Sequence, residues 1–545
     1  MEKVSLKRKL THAVIFVIYE LMMLPRIITN FVIINLASVS LAGKCIIHLF
    51  CKPCSLVSIN QTMQDKYLKH LSLLVLFSCT VIFNGFSMTT KSFADRSQTQ
   101  ENEEHKIIAI KNVNIIPMTL ENKIIENVTV VIKDHKILSI NKHVPDHAEI
   151  IDGKGKWLIP GLIDMHVHNL ADVNFGSSYP TKGANAFTNT QDFMLLYIAN
   201  GVTTVFELSA RPEHFGERNE IIKGHVTGPR MALAFLIDGG EGSGNIANSP
   251  ADGRQSVRIA KAQGYEFIKV YSHLNIETFK AIVDEANKQG MKVVGHIPNA
   301  FKGKIEEAFV PNYDMVAHAE EYAKQTDNFS DQDAKRFAQL AKKNRTWLTP
   351  TLTTIVRIGE QARSLDGIRD LPSLKYVPPL LQSKWLTANN YNKGTTPDHV
   401  AYLDKIADFN IRLVKAFKEA GVPMVAGTDA GTSGVVWGFS LHDEIELLVK
   451  AGLTPEEALA SATRLPAMWL GIEDKIGTVE VGKYADLVLL DANPLDNISN
   501  TRKISGVFVN GRWLDKSRIN AMLSDLSKRN TASKDKYDWS KRAKY

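Results

Sequence analysis

The chain has 545 residues, too long for one small core and ample for a barrel of about 250 residues with additions. Its net charge of +7 is uneven: residues 1–94 carry ten Lys/Arg against three Asp/Glu, and residues 95–545 carry 55 of each sign. A neutral main body argues against a nucleic-acid partner, which calls for a basic domain face.

All four cysteines, Cys45, Cys51, Cys54 and Cys79, precede residue 95. The remaining 451 residues therefore exclude a cysteine nucleophile, thiolate zinc ligands and an iron–sulfur centre, and hold no thiol to misoxidise in an oxidising compartment. Residues 63–94 give the reason for this split. Lys66 and Lys69 lead into the apolar run Leu71–Phe86, and Ser92-Phe93-Ala94 forms a small-x-small site before Asp95. That is the layout of a signal peptide, so a periplasmic or secreted location is expected. The alternative is a membrane anchor through this segment left uncleaved, although Asn84 and Gly85 leave it short for a span. Residues 1–62 carry apolar runs broken by Glu20, Pro25 and Arg26. They read as sequence upstream of a true start at Met63, with an extra membrane segment as the other reading. Asp95–His105 is a polar spacer.

From residue 106 to 157 the chain alternates in short β-branched runs: Ile107–Ile110, Val113–Met118, Val128–Lys133 and Ile137–Ile140. A matching set follows in 471–515, at Gly477-Thr-Val-Glu, Ala485–Leu490 and Val507–Asn510. The two flanks are expected to pair into one composite β-sandwich domain. Between them, residues 158–470 show eight strand candidates, near Leu158–Met165, Val202–Phe206, Arg230–Leu236, Glu266–Tyr271, Lys292–His296, Met315–His318, Trp347–Thr349 and Val422–Thr428. Helical patterns such as Ile276–Gln289 and His442–Ala451 intervene. Alternation of strand and helix predicts an α/β (β/α)8 TIM barrel. The stretch Asn328–Asp404 exceeds one crossover and predicts a helical insertion, and the basic tail 516–545 reads as a solvated end.

Five segments along this repeat carry metal-ligand side chains at predicted strand ends: His166-Val-His168, Lys269, His296, His318 and Asp429. His166 and His168 stand two residues apart on a strand and point the same way, so both can serve one ion. Lys269 lies between Ile268 and Val270, where a charged amine is costly to bury. A desolvated, neutral amine there can add CO2 and become a bridging carbamate. His296 and His318 supply nitrogen for a second ion. Asp429 can hold an ion and take a proton from water. Nitrogen and oxygen donors without thiolate suit Zn2+ best, so two divalent ions with carboxylated Lys269 are expected.

The segments Trp157-Leu-Ile-Pro-Gly-Leu-Ile-Asp-Met-His-Val-His, Gly201-Val-Thr-Thr-Val, Gly427-Thr-Asp-Ala-Gly and Gly482-Lys-Tyr-Ala-Asp-Leu-Val-Leu-Leu-Asp resemble the amidohydrolase superfamily. Within it, the chain is similar to the imidazolonepropionase-like and Xaa-Pro dipeptidase-like branch, over roughly residues 106–513. The resemblance implies that His166, His168 and Asp429 hold one ion, that His296 and His318 hold the other, and that Lys269 bridges them. The chain departs from related sequences at Phe206-Glu207-Leu208, where Arg-Asp-Leu is frequent, and in the Gly-rich loop Asp238–Asn248.

The expected reaction is hydrolysis of an amide or peptide-like C–N bond in a small molecule, a dipeptide or N-acyl amino acid, by a metal-bridging hydroxide. Asp429 is the catalytic proton carrier, and Tyr271, which shares the strand parity of Lys269, is the candidate donor to the oxyanion. Lactone, cyclic-amide or phosphotriester hydrolysis by the same centre is the alternative, and a catalytically silent binding protein a further one. A homo-oligomer is compatible with the sequence. The substrate-selecting loops would be Asn169–Asp192, Ser209–Glu220, Asp238–Asp252, Glu320–Phe329 and Thr432–Phe439, with Trp437 and Phe439 as candidate pocket walls.

Overall fold

The computed structural model describes residues 107–169 and 189–544. The segments expected to be a leader (1–62), a signal peptide (63–94) and a spacer (95–105), and most of the loop Asn169–Asp192, lie outside the described residues.

The first strands are β1 (Ile107–Ile115), β2 (Ile125–Lys133), β3 (Lys136–Asn141), β4 (Glu149–Asp152) and β5 (Trp157–Pro160). Two runs read separately in the sequence merge into β1. Its register against β2 shifts between Ile110 and Val113, where Asn112 takes a φ of 58°. Such a bulge bends a strand without ending its pairing.

At Gly161 the chain passes from this sheet into the barrel. A Cβ there would run into the Thr203 side chain, so only glycine fits the crossing. The barrel strands are β6 (Leu162–Val167), β7 (Val202–Glu207), β8 (Arg230–Asp238), the two-residue β9 (Asn245–Ile246), β10 (Phe267–Val270), β11 (Lys292–Gly295), β12 (Tyr313–Ala317) and β13 (Trp347–Thr349). Seven of them run parallel in the order β6-β7-β8-β10-β11-β12-β13, and β9 pairs with β8. Strands β6, β7 and β10 are buried at every residue, as strands covered on both faces must be.

The eighth position of the (β/α)8 architecture is filled by the segment expected there, Val422–Thr428, in a looser form. It forms isolated bridges, Leu348 to Met424 and Val167 to Ala430, in place of a full ladder. The backbone bonds Val425 N to Leu348 O and Met165 N to Ala426 O still stitch it between β13 and β6. Pro423 has no N–H to donate, and Asp429 turns the backbone to φ 58°, so regular pairing is interrupted at both ends.

The chain then returns to the first sheet through β14 (Leu487–Leu490), β15 (Ile504–Val509) and β16 (Arg512–Asp515). The order is β16-β15-β14-β5-β1-β2-β3, with β4 on β1, so the two flanks join edge to edge in one mixed sheet. Gly477-Thr-Val-Glu is not one of its strands; Val479 N donates to Pro117 O and goes no further.

The barrel interior is filled by Ile163, Met165, Phe206, Phe267, Val294, Met315 and Val425, closed below by Trp469. The Trp469 ring stacks on Phe267 at 5.3 Å and meets Phe206 at 5.5 Å. Each such aromatic side chain contributes about 2–3 kcal/mol by leaving water. The plug occupies the end of the barrel away from the strand C-termini, leaving that opposite face for polar side chains. Helices Leu352–Arg363, Asp366–Arg369 and Pro379–Thr387 form the expected insertion between β13 and the long helix Pro397–Ala420.

The basic tail departs from the solvated end expected of it. Lys516–Ser533 is a helix capped by Asp515, and Ile519, Leu523, Leu526 and Asn530 form a buried stripe at helical spacing. Trp539 is buried beyond it. The charges obscured this stripe because they occupy the other helix faces. Among the described residues, no helix is long and apolar enough to cross a membrane.

Candidate metal centre

His166 is wholly buried at the end of β6. Gly427 lies so close that a Cβ would stand 2.9 Å from His166 Cβ, which explains glycine at that position. Three bonds tie β6 to the turn after the eighth segment: Asp429 N to His166 O at 2.7 Å, His168 N to Ala430 O at 2.8 Å, and Thr428 Oγ1 to Asp164 Oδ2 at 2.7 Å. Asp164 also receives Thr428 N and His166 N on Oδ1. Burial pushes its carboxyl up to about 7 in spite of those donors.

These ties bring three potential ligand atoms together. His166 Nε2 and His168 Nε2 are 3.2 Å apart, and Asp429 Oδ1 lies 3.2 Å from the first and 3.0 Å from the second. Donor atoms bound to one ion at about 2.1 Å stand roughly 3 to 3.4 Å apart, so this spacing fits a shared cation. His166, His318 and Asp429 also offer ligand atoms within 4.8 Å of one another. Burial, then the nearby Lys269 and His318, keep His166 well below the ordinary histidine range, so its lone pair is available. On His168 burial opposes charge, but Asp429 and Glu207 outweigh it and raise the pKa to about 9. A proton and a cation therefore compete for the same nitrogen. Burial would raise Asp429, yet its bond to His168 and the surrounding positive groups hold it at about 2.

On the other side, the rings of His296 and His318 meet edge-on at 4.8 Å, and His318 lies 4.5 Å from His166. His318 Nδ1 is paired with Thr351 Oγ1 at 2.7 Å, leaving Nε2 for the centre. His296 Nδ1 is paired with Ser272 Oγ at 2.9 Å and Glu321 Oε1 at 3.0 Å, while its Nε2 is buried without a partner. Lys269 is wholly buried, and its Nζ also has no hydrogen-bond partner. Burial lowers its pKa to about 7 against the pull of Asp429, Glu321 and Glu207. Buried nitrogens left unpaired are costly unless something else satisfies them. A cation suits both His296 Nε2 and the neutral donors around it.

Tyr271 lies against His296 with ring centroids 4.0 Å apart, and burial pushes its phenol up, so it stays protonated as a donor. The structure thus gathers His166, His168, Asp429 and His318 closely, adjoins His296 and Tyr271, and sets Lys269 Nζ 6.0 Å from the Tyr271 ring centre.

Several residues around the centre were not singled out from sequence. Glu207, noted only as a departure, is wholly buried; it accepts Asn169 N and Ser209 N, with Oε1 3.6 Å from His168 Nδ1. Asp164 and Glu321 needed tertiary structure to be found, although His318-Ala-Glu-Glu321 does place a carboxylate one helical turn from a ligand. Trp437, a candidate pocket wall, instead packs on Phe193 at 4.5 Å and donates Nε1–H to His168 O at 3.2 Å. Phe439 stacks on Tyr376 at 5.7 Å. Asp238 receives the backbone N–H of Gly239, Ser243 and His273 and faces the His273 ring, which ties the Gly-rich loop to the end of β10.

A sequence model of the amidohydrolase family matches residues 157–514. The chain is 23% identical over 471 residues to a 5-methylthioadenosine/S-adenosylhomocysteine deaminase from Bacillus cereus (strain AH820), covering 75% of this chain and 96% of the relative. It is 24% identical over 407 residues to an imidazolonepropionase from Thermoplasma volcanium, covering 71% and 90%. Among solved structures, a Xaa-Pro dipeptidase with bound methionine superposes with a TM-score of 0.57 at 22% identity, covering 75% of this chain and all of that one.

Proposed function

The chain belongs to the amidohydrolase family, hydrolases that act on carbon–nitrogen bonds, and from that premise we propose that it cleaves the amide bond of a dipeptide or N-acyl amino acid. In this reading His166, His168 and Asp429 would hold one divalent ion and His296 and His318 a second, with Lys269, carboxylated by CO2, as a ligand shared by both. Zn2+ suits these nitrogen and oxygen donors. Ions so bound lower the pKa of water towards neutrality and polarise a substrate carbonyl.

The chain's own residues supply the rest. Asp429, held ionised, accepts the proton of the attacking water and passes it to the nitrogen of the leaving amine as the C–N bond breaks. The products are a carboxylate and an amine. Tyr271, kept protonated by burial, donates to the oxygen that gains charge. The reading rests on the approach of His166 Nε2, His168 Nε2 and Asp429 Oδ1 to 3.0–3.2 Å, a spacing that fits three ligand atoms on one cation in place of the proton on His168.

Amine release from a panel of dipeptides and N-acyl amino acids, by protein whose metal content has been measured, tests the proposal. Release from a coherent subset with two ions per chain supports it and names the side-chain preference. Silence from the doubly loaded protein overturns the substrate class. Cyclic-amide opening is the second reading, favoured by the similarity to an imidazolonepropionase. We place the enzyme outside the cytoplasm on the signal-like segment 63–94 and the cysteine-free body; loss of the first 94 residues from the exported protein is the check.

A further inference from the structure

We infer that Glu321 is a positioning residue that sets His296 and His318 as a pair for the second ion, an inference that rests on the two-ion reading. The argument begins with where its bonds end. Glu321 sits in the short helix Glu320–Ala323, three residues after His318, and its backbone N–H donates to His318 O at 3.3 Å. Its side chain turns the other way. Oε1 lies 3.0 Å from His296 Nδ1, and Oε2 accepts the N–H of Ile297, the next residue, at 3.1 Å. One residue therefore holds the ligand at the end of β11 to the ligand at the end of β12.

Chemistry fixes the consequence. A carboxylate oxygen only accepts, so His296 Nδ1 must carry its proton there, and the lone pair is left on Nε2. That Nε2 is the buried nitrogen without a partner. Ser272 Oγ, 2.9 Å from the same Nδ1, can adapt to either tautomer, since a hydroxyl both donates and accepts. The choice of tautomer thus belongs to Glu321. Lys324 Nζ, 2.7 Å from Oε1, sets a positive charge against the buried carboxylate. A plain surface ion pair would not explain this arrangement. Glu321 is 1% exposed, whereas Lys324 already has Glu320 at 2.8 Å on the more open side.

The test is a Co2+ titration of the metal-free full-length protein, followed by visible absorption and by metal content after dialysis. Wild type takes two ions. Glu321→Gln keeps one at wild-type affinity and weakens the other by about 10- to 100-fold, with a changed spectrum for that second ion alone and an apoprotein melting temperature within a few degrees of wild type. Ser272→Ala leaves both ions near wild-type affinity. If Glu321→Gln does not fold, Glu321→Asp serves: its shorter side chain keeps the charge but draws it back from His296, and the second ion weakens about 10-fold. Two ions at wild-type affinity and spectrum in a folded Glu321 variant would overturn the inference alone. A wild type that takes only one ion overturns the two-ion reading, and this inference with it.

Discussion

Asp429 Oδ1 lies 3.0 Å from His168 Nε2 while Asp429 N donates to His166 O at 2.7 Å, so one residue reaches His168 by its side chain and His166 by side chain and backbone together. The backbone bond does not depend on the carboxylate. Asp429→Asn should therefore keep the turn and lose the proton acceptor. Turnover falls by at least about 10^2 to 10^4-fold, and the melting temperature stays within a few degrees. A variant with wild-type turnover would remove Asp429 from the mechanism.

Lys269 gives a second test. A wholly buried amine with no hydrogen-bond partner has no evident structural use, and carbamate formation is the chemistry proposed for it. Metal-free protein reconstituted in CO2-depleted buffer should regain activity slowly and incompletely, and added bicarbonate should restore it. Lys269→Ala should be inactive with its metal content reduced, and a short carboxylic acid should recover part of both. Reconstitution indifferent to bicarbonate would argue for an unmodified lysine.

The C-terminal helix offers a test of packing. Leu526 is 3% exposed on the buried stripe of Lys516–Ser533, and Lys528 lies on an open face two residues on. Leu526→Ala should cost about 2–4 kcal/mol of unfolding free energy by the loss of buried carbon and the cavity left behind. Lys528→Ala should change it by less than about 0.5 kcal/mol. Denaturant melts of the two variants side by side measure the contrast, and equal stability would return the tail to the solvent.

The barrel was legible in the sequence because strands buried on both faces are mostly apolar, as in Val293-Val294 and Met315-Val316-Ala317. The proposed ligands stood out because polar side chains interrupt such runs near their ends: His166 after Met165, His318 after Ala317. The eighth segment read as a strand from composition, but Pro423 and the turn at Asp429 withhold the bonds a ladder needs. The carboxylates behind the ligands were not legible. Glu321 looks like any acidic residue opening a helix, and only the approach of β11 to β12 brings His296 to it. Asp164 lies inside the very motif that identified β6, yet its partner Thr428 is 264 residues away.

His442 carries a prediction about stability and pH, away from the ligands. It is buried in the helix Phe439–Lys450, with Nδ1 3.0 Å from Thr501 Oγ1. Burial first, and then the charge of Arg502, lower its pKa from 6.5 to about 3. The folded protein thus keeps His442 neutral at a pH where the unfolded chain takes up a proton. For a histidine with a depressed folded pKa, the stabilisation is complete above pH 6.5 and is lost progressively as the pH falls towards 3. Between pH 7 and pH 5 the loss from this one group is about 2 kcal/mol. His442→Gln keeps a polar partner for Thr501 and cannot titrate. It should be less stable than wild type at pH 7.5, and the gap should narrow by about 2 kcal/mol at pH 5, because only wild type is losing the His442 contribution. Unfolding free energies of both proteins across that range measure the gap directly. A gap that stays constant with pH would mean that His442 titrates alike in the folded and unfolded chains, and that its burial does not set its charge.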